Sequence, residues 1–417
     1  MPLNSKFWLK FSLLNLFIVA LIGLLMRYKI GFEFPFLDQK HLQHSHSHFA
    51  FAGWISHTLM VLMVGFLEKR IEKRDKNTEH RLSRKYSLVL IANLICAYGM
   101  LIFFIIQGYG MISIFFSSSS IVVAGVFALF YFKDLRQIAD DDLSKNWFKA
   151  ALFFNLFSSL GTFALAYMMV TKNIHQNEYL ASIYYYLHFQ YNGWFFFACM
   201  GLLTAFLNLK SSENVFFNRT FWLFFIACIP AYFLSTLWLD LPTWVYIVTV
   251  ISAFVQVYAW FRYLIIIVKT RREYLQNFPY FLRYVLLFVG FALSIKFILQ
   301  LGSTIPVLSQ LAYGFRPIVI AYLHLVLLAV ITLFLLFYMY ATHLIHVNKP
   351  IKIGVIIFSV GVVLNEIILA IQGVAAFSYT LVPFVNEMLF GAALVLVLGI
   401  GITAFYSIKK VKNPPLL

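Results

Sequence analysis

Between positions 41 and 57 the chain reads HLQHSHSHFAFAGWISH, which sets His41, His44, His46, His48 and His57 at the mouth of an otherwise apolar segment. Neutral imidazole is the commonest side-chain metal ligand and the usual axial ligand of haem iron. The spacing of these rings therefore decides which chemistry they can serve. On a helix, residues two apart lie about 200° apart, so His46 and His48 face opposite sides and can address two different cavities. His44 and His48 share a face, as do His46 and His57 about three turns further on. A zinc or copper ion wants a compact cluster of ligands, often including thiolate or carboxylate, and His41 with His44 is the candidate for such a site. Haem instead wants single histidines on facing helices, between broad apolar and aromatic walls.

The second pattern is a repeat. HFAFAGW begins at His48 and HFQYNGW at His188; they share His, Phe, an aromatic residue, Gly and Trp in order. A fainter third copy, AYLHLVLLAVIT, surrounds His324, and its YLH matches the YLH that ends at His188. The three copies recur at nearly equal separations. One buried imidazole is most simply a group that hydrogen-bonds a backbone carbonyl and supports helix packing. Three in register, one preceded by HSHSH, favour a functional reading. Trp54, Trp194, Phe189 and Tyr191 supply aromatic walls beside them.

The elements that must position these residues follow from composition. The chain has 417 residues, 62% hydrophobic and 12% charged, with mean hydropathy +0.84. Its apolar residues fall into blocks of about 20, the length of a transmembrane helix. Twelve spans are expected, at roughly 7–26, 45–67, 86–107, 111–132, 147–170, 183–208, 220–238, 244–268, 281–300, 317–340, 352–373 and 384–408. Basic residues gather in alternate loops: EKRIEKRDKNTEHRLSRK after the second span, KDLRQ, KTRRE and HVNKPIK after the fourth, eighth and tenth, and KKVK in the tail. Both termini are therefore expected in the cytoplasm of a bacterial inner membrane. The same placement argues against nucleic acid as the reason for the +16 charge. Cys96, Cys199 and Cys228 sit in apolar blocks without CxxC spacing and read as small buried hydrophobes. The expected fold is all-α: one integral membrane domain over 1–417, built of pseudo-repeats at about 1–140, 141–275 and 276–417. Each repeat is a four-helix unit with a His near the outer end of its second helix.

A chain with this topology and with outer-half histidines on its second, sixth and tenth spans resembles the catalytic subunit of the haem–copper oxidase superfamily, which includes nitric oxide reductases. HSHFAFAGWISHTLM is similar to the His-x-His…Gly segments of nitric-oxide-reductase-type and NnrS-type membrane haem proteins. The likeness covers most of the chain in topology and is specific around His48, His188 and His324. It implies that His48 (or His46) and His324 clamp a low-spin haem, expected to be of b type. Tyr322 stands where the family has the ligand of its active-site haem, and His188 matches a copper ligand. The family's His-His pair has no counterpart in FWLFFIACIPAYFLSTLW, and Tyr191 stands three residues after His188 where the family's tyrosine stands four after. The copper centre is thus expected to be altered or lost, and ordinary oxygen reduction with it.

Lys296 and Glu366 fall at similar depth in the outer halves of the ninth and eleventh spans, where an unpaired charge is costly. They are expected either to pair or to share a wet cavity, as part of a proton path or as a holder of a haem propionate. No Walker motif, dinucleotide loop or Ser/His/Asp arrangement occurs in an exposed segment. These observations point to electron transfer or nitric oxide handling, with quinol or cytochrome c as donor. A rival reading is a transporter or metal-handling protein with a His-lined path; another is a non-catalytic subunit that assembles with partner membrane subunits.

Overall fold

The computed structural model describes residues 4–71, 76–207 and 214–409, and among them every regular element is helical. The helices are α1 (Ser5–Gly31), α2 (Gln39–Ile71), α3 (Lys76–Gln107), α4 (Met111–Leu135), α5 (Ser144–Thr171), α6 (176–206), α7 (Asn214–Cys228 continued by Pro230–Thr236), α8 (Thr243–Gln276), α9 (Tyr280–Gly302), α10 (Arg316–Ala341), α11 (Lys349–Phe377) and α12 (Val385–Ile408), with a short helix Pro306–Gly314 before α10. Ten of these are long and apolar enough to cross a membrane, and α7 makes an eleventh if its halves, bent by 43° at Pro230, are one span. Proline removes an intrahelical donor there and the chain beyond it continues as the tighter 3₁₀ turn Pro230–Thr236. The expected sixth span lies on α6, which runs unbroken through the π segment described below but carries the buried polar residues Gln190 and Asn192. Leu88, Phe115, Leu129, Phe163 and Leu287 are exposed on the outer faces of their helices, as a lipid-facing surface requires. The chain is a multi-pass membrane bundle.

One boundary differs from expectation in a way that matters. α2 begins at Gln39 rather than near 45, because the Asp38 carboxylate accepts from the backbone N–H of Lys40 (2.8 Å) and His41 (3.0 Å) and starts the helix there. The whole HSHSH run is therefore helical. α2 is also the most enclosed candidate span, with 78% of its most apolar stretch buried against 17% for α4. The first is central and the second peripheral.

Each of α2, α6 and α10 contains a π-helical segment: Ala50–Ser56, Phe189–Phe195 and Leu325–Thr332. These begin one or two residues after His48, His188 and His324. The widened turns lie against one another. Trp54 Nε1 donates to Thr332 Oγ1 (2.9 Å), Trp194 Nε1 donates to Ser56 Oγ (3.1 Å), and the Phe51 and Phe195 rings lie 5.2 Å apart. Carbonyls in the α2 segment are met from neighbouring helices: Asn15 Nδ2 donates to Gly53 O (2.6 Å) and Asn93 Nδ2 to Ala52 O (3.1 Å). In hydrocarbon such carbonyls have no water to turn to, which is why asparagines stand opposite them.

Below the π segments packing is dense; above them it is looser. Every residue of Leu333–Ala341 is buried, and none of Arg316–His324 is. In α6, Phe189–Phe195 is wholly buried, whereas His188 alone is buried in Gln176–His188. The N-terminal halves of α6 and α10 are thus only partly buried, packed on one flank, α6 against α5 and α7 and α10 against α11, and less enclosed than the halves that follow them.

Candidate functional site

His46 and His48 do face different ways, and it is His46 that turns toward α10. A Cβ at Gly23 of α1 would lie 3.3 Å from His46 Cε1, so the absence of a side chain there leaves room for the ring. His46 lies within electrostatic range of His324 and of Arg27, and Arg27 lies in range of both rings. His46 Nδ1 is sealed from solvent and makes no hydrogen bond of ordinary geometry, although the Val19 carbonyl of α1 lies close to the ring. His324 Nδ1 lies 2.9 Å from the Ile320 carbonyl one turn earlier. A carbonyl can only accept, so Nδ1 carries the proton and Nε2 keeps its lone pair. That is the tie by which proteins orient a ligating imidazole.

His48, with His46 one of the two candidates to pair with His324, stands elsewhere. Its ring stacks on Phe104 (centroids 4.4 Å apart) and its Nε2 meets the Tyr109 hydroxyl at 3.2 Å. His44 packs edge-on to the same Tyr109 (4.5 Å), and His41 Nδ1 donates to Ile105 O (3.3 Å) against Gly108. Gly108 has φ +57°, a backbone conformation that favours glycine, and a Cβ there would lie 2.6 Å from the His41 ring. His41, His44 and His48 thus line the turn between α3 and α4. His57, below the π segment, meets Trp8 and Asn93 instead of sharing the surroundings of His46.

His188 occupies a third place. Its Nε2 donates to Cys228 O (2.9 Å) and its Nδ1 accepts from Asn192 Nδ2 (3.1 Å), so neither nitrogen offers a free lone pair. Among the described residues no group of three or more His, Cys, Asp or Glu converges as a metal site. The donor set for the copper ligand role that the resemblance gives His188 does not fit. The donor set for a bis-imidazole haem clamp does fit at His46 and His324: one ring has a buried nitrogen without a hydrogen bond of ordinary geometry, the other a tautomer fixed with its lone pair outward. Tyr322, one turn above the π segment of α10, keeps a buried hydroxyl without a partner and faces the Tyr191 ring at 6.2 Å. Trp54 and Trp194 act as ties between α2, α10 and α6 rather than as walls of an open pocket.

Lys296 and Glu366 do not form an ion pair. The ion pairs among the described residues are Arg70–Asp142, Lys85–Asp134 and Lys145–Asp140. Lys296 lies over the Phe297 ring near Cys228, whereas Glu366 accepts from its neighbour Asn365 (3.2 Å). Their equal depth along two helices carried no information about rotation, and the two side chains point into different surroundings.

The sequence reading passed over Gly23, Arg27, Tyr109 and Asn192. Gly23 and Arg27 are four apart on α1 and so share a face, which is a legible signal. Nothing in the sequence joins Tyr109 to His48 across two helices. No family model matches this chain, and no curated protein is detectably similar to it.

Proposed function

We propose that the chain is a haem-binding membrane protein in which His46 of α2 and His324 of α10 clamp a low-spin, b-type haem in the outer half of the bilayer. The observation that carries the reading is that these two buried imidazoles lie within electrostatic range of each other, His46 with an Nδ1 that makes no hydrogen bond of ordinary geometry and His324 with Nε2 left free by the bond of its Nδ1 to Ile320 O. The partly buried N-terminal halves of α6 and α10 are compatible with it, since a macrocycle needs width that close-packed helices deny. Arg27, in range of both rings, suits a propionate. Bound there, haem would supply one-electron chemistry. The chain's own residues would hold the rings in orientation, exclude water below through the sealed π segments, and present Arg27 to negative charge.

The recurrence of a π segment just after His48, His188 and His324 supports twelve spans in three four-helix units. The cross-links support it too. In each of the two, a Trp six residues after the reference His donates to a hydroxyl eight residues after the reference His of another helix. The role that fits is electron transfer or nitric oxide handling in a bacterial inner membrane, with both termini cytoplasmic and a quinol or cytochrome c donor. The test is an absorption spectrum of the purified protein, with His46→Ala and His324→Ala beside it. A Soret band with sharp reduced α-peaks, lost in both variants, is the expected result. A colourless protein, or full haem content with an unchanged spectrum in either variant, sinks the clamp and returns the histidines to a transport or assembly role.

A further inference from the structure

Lys296 sits in α9 at 3% exposure, and among the described residues its ammonium makes no hydrogen bond and no ion pair. Its nearest partner is the face of Phe297, 4.0 Å from Nζ to the ring centroid, with Phe196 at 5.8 Å. Aromatic faces attract a cation but do not replace a counter-charge. The polar groups around it cannot supply one. His188 and Cys228 are its electrostatic neighbours. His188 is neutral, because it gives Nε2–H to Cys228 O while accepting at Nδ1. Cys228 keeps its thiol proton, which it directs at Asn192 O (3.7 Å). Glu366 is elsewhere. One further group in the cluster is unsatisfied: Asn192 Oδ1 is buried and accepts from nothing.

The cluster therefore presents a strong donor without an anion and an acceptor without a donor. A halide or nitrate would answer the first and leave the second. A small monovalent oxyanion that carries a hydroxyl answers both, accepting from Lys296 Nζ through its charged oxygens and donating its O–H to Asn192 Oδ1. We propose that Lys296, Asn192, His188 and Cys228, between α6, α7 and α9, bind such an oxyanion, with hydrogencarbonate as its simplest representative. The site does not depend on the His46–His324 clamp, which lies between α1, α2 and α10.

Thermal unfolding of the purified full-length protein tests this in hydrogencarbonate, nitrate and gluconate at one pH and ionic strength. Hydrogencarbonate should raise Tm saturably, by about 4 °C at high occupancy, with nitrate indistinguishable from gluconate. Lys296→Met, similar in length and volume, should lose the response. Asn192→Asp, which puts a carboxylate into the cluster and removes the hydroxyl's neutral acceptor, should lose it too, so a failure of the Met variant to fold leaves the test intact. Equal stabilisation by nitrate, no response to hydrogencarbonate, or a response retained in both variants overturns the proposal.

Discussion

The hydrogen bond from Trp54 Nε1 to Thr332 Oγ1 joins the π segments of α2 and α10 and sets the spacing of the helices that carry His46 and His324. Both residues are buried, at 1% and 2% exposure. Its worth can be bounded from the surroundings. Hydrogen bonds between membrane helices average about 0.6 kcal/mol, with a ceiling near 1.7. Thr332 Oγ1 also donates to Leu327 O (2.8 Å), so removing the indole N–H takes one acceptor contact and does not orphan the hydroxyl. Thr332→Val removes both bonds and leaves Trp54 Nε1 without a partner, the costlier loss. Trp54→Phe adds a packing defect at a sealed site, so we expect about 2 kcal/mol from Trp54→Phe, mostly from lost volume. The coupling between the two substitutions, which isolates the bond, should be about 0.6–1 kcal/mol. The assay is a double-mutant cycle by equilibrium unfolding in mixed detergent micelles. A coupling indistinguishable from zero would refute the argument that this bond ties the two histidine-bearing helices.

Three further outcomes follow from the same geometry. His48→Ala should leave any haem spectrum in place, because that ring serves Phe104 and Tyr109, whereas Gly23→Leu should diminish it by pushing on the His46 ring; visible spectra of the two variants decide it. The expected 68–86 loop is shorter in the fold, since α2 runs to Ile71 and α3 starts at Lys76, with 72–75 outside the described residues; single cysteines at the exposed Lys69 and Arg70 should react with impermeant reagent only in inside-out vesicles, and labelling from the outer side would reverse the topology. The Asp38 carboxyl is held below the ordinary range by the backbone N–H of His41 and Lys40. A depressed acid stabilises above its unfolded value of about 3.9 and loses that stabilisation as pH falls through the lower folded value. Wild type should therefore lose, below about pH 4, a cap that Asp38→Asn retains, as read by Tm against pH.

Apolar blocks of bilayer length, alternate basic loops and the echo of His48 at His188 and His324 are properties of the chain taken in order. They fixed an all-helical membrane bundle, most helix positions and the three helices that meet at its centre. Rotation about each helix was decided only by packing, and the reason is local. Each π segment inserts an extra residue into the turn, so the 3.6-residue phase counted from the buried lower half of α2 is wrong by about 100° at the histidines above it. An error of that size does not by itself choose between His46 and His48, which lie about 200° apart; packing placed His46 within range of His324 and His48 against Phe104 and Tyr109. Depth without rotation likewise suggested a Lys296–Glu366 pair that does not form. The partners of His188 lie on two helices, and only the fold reveals that both of its nitrogens are taken: Asn192 is four residues along its own helix, but Cys228 arrives on α7 through its carbonyl, a group every residue has and no side-chain pattern can announce.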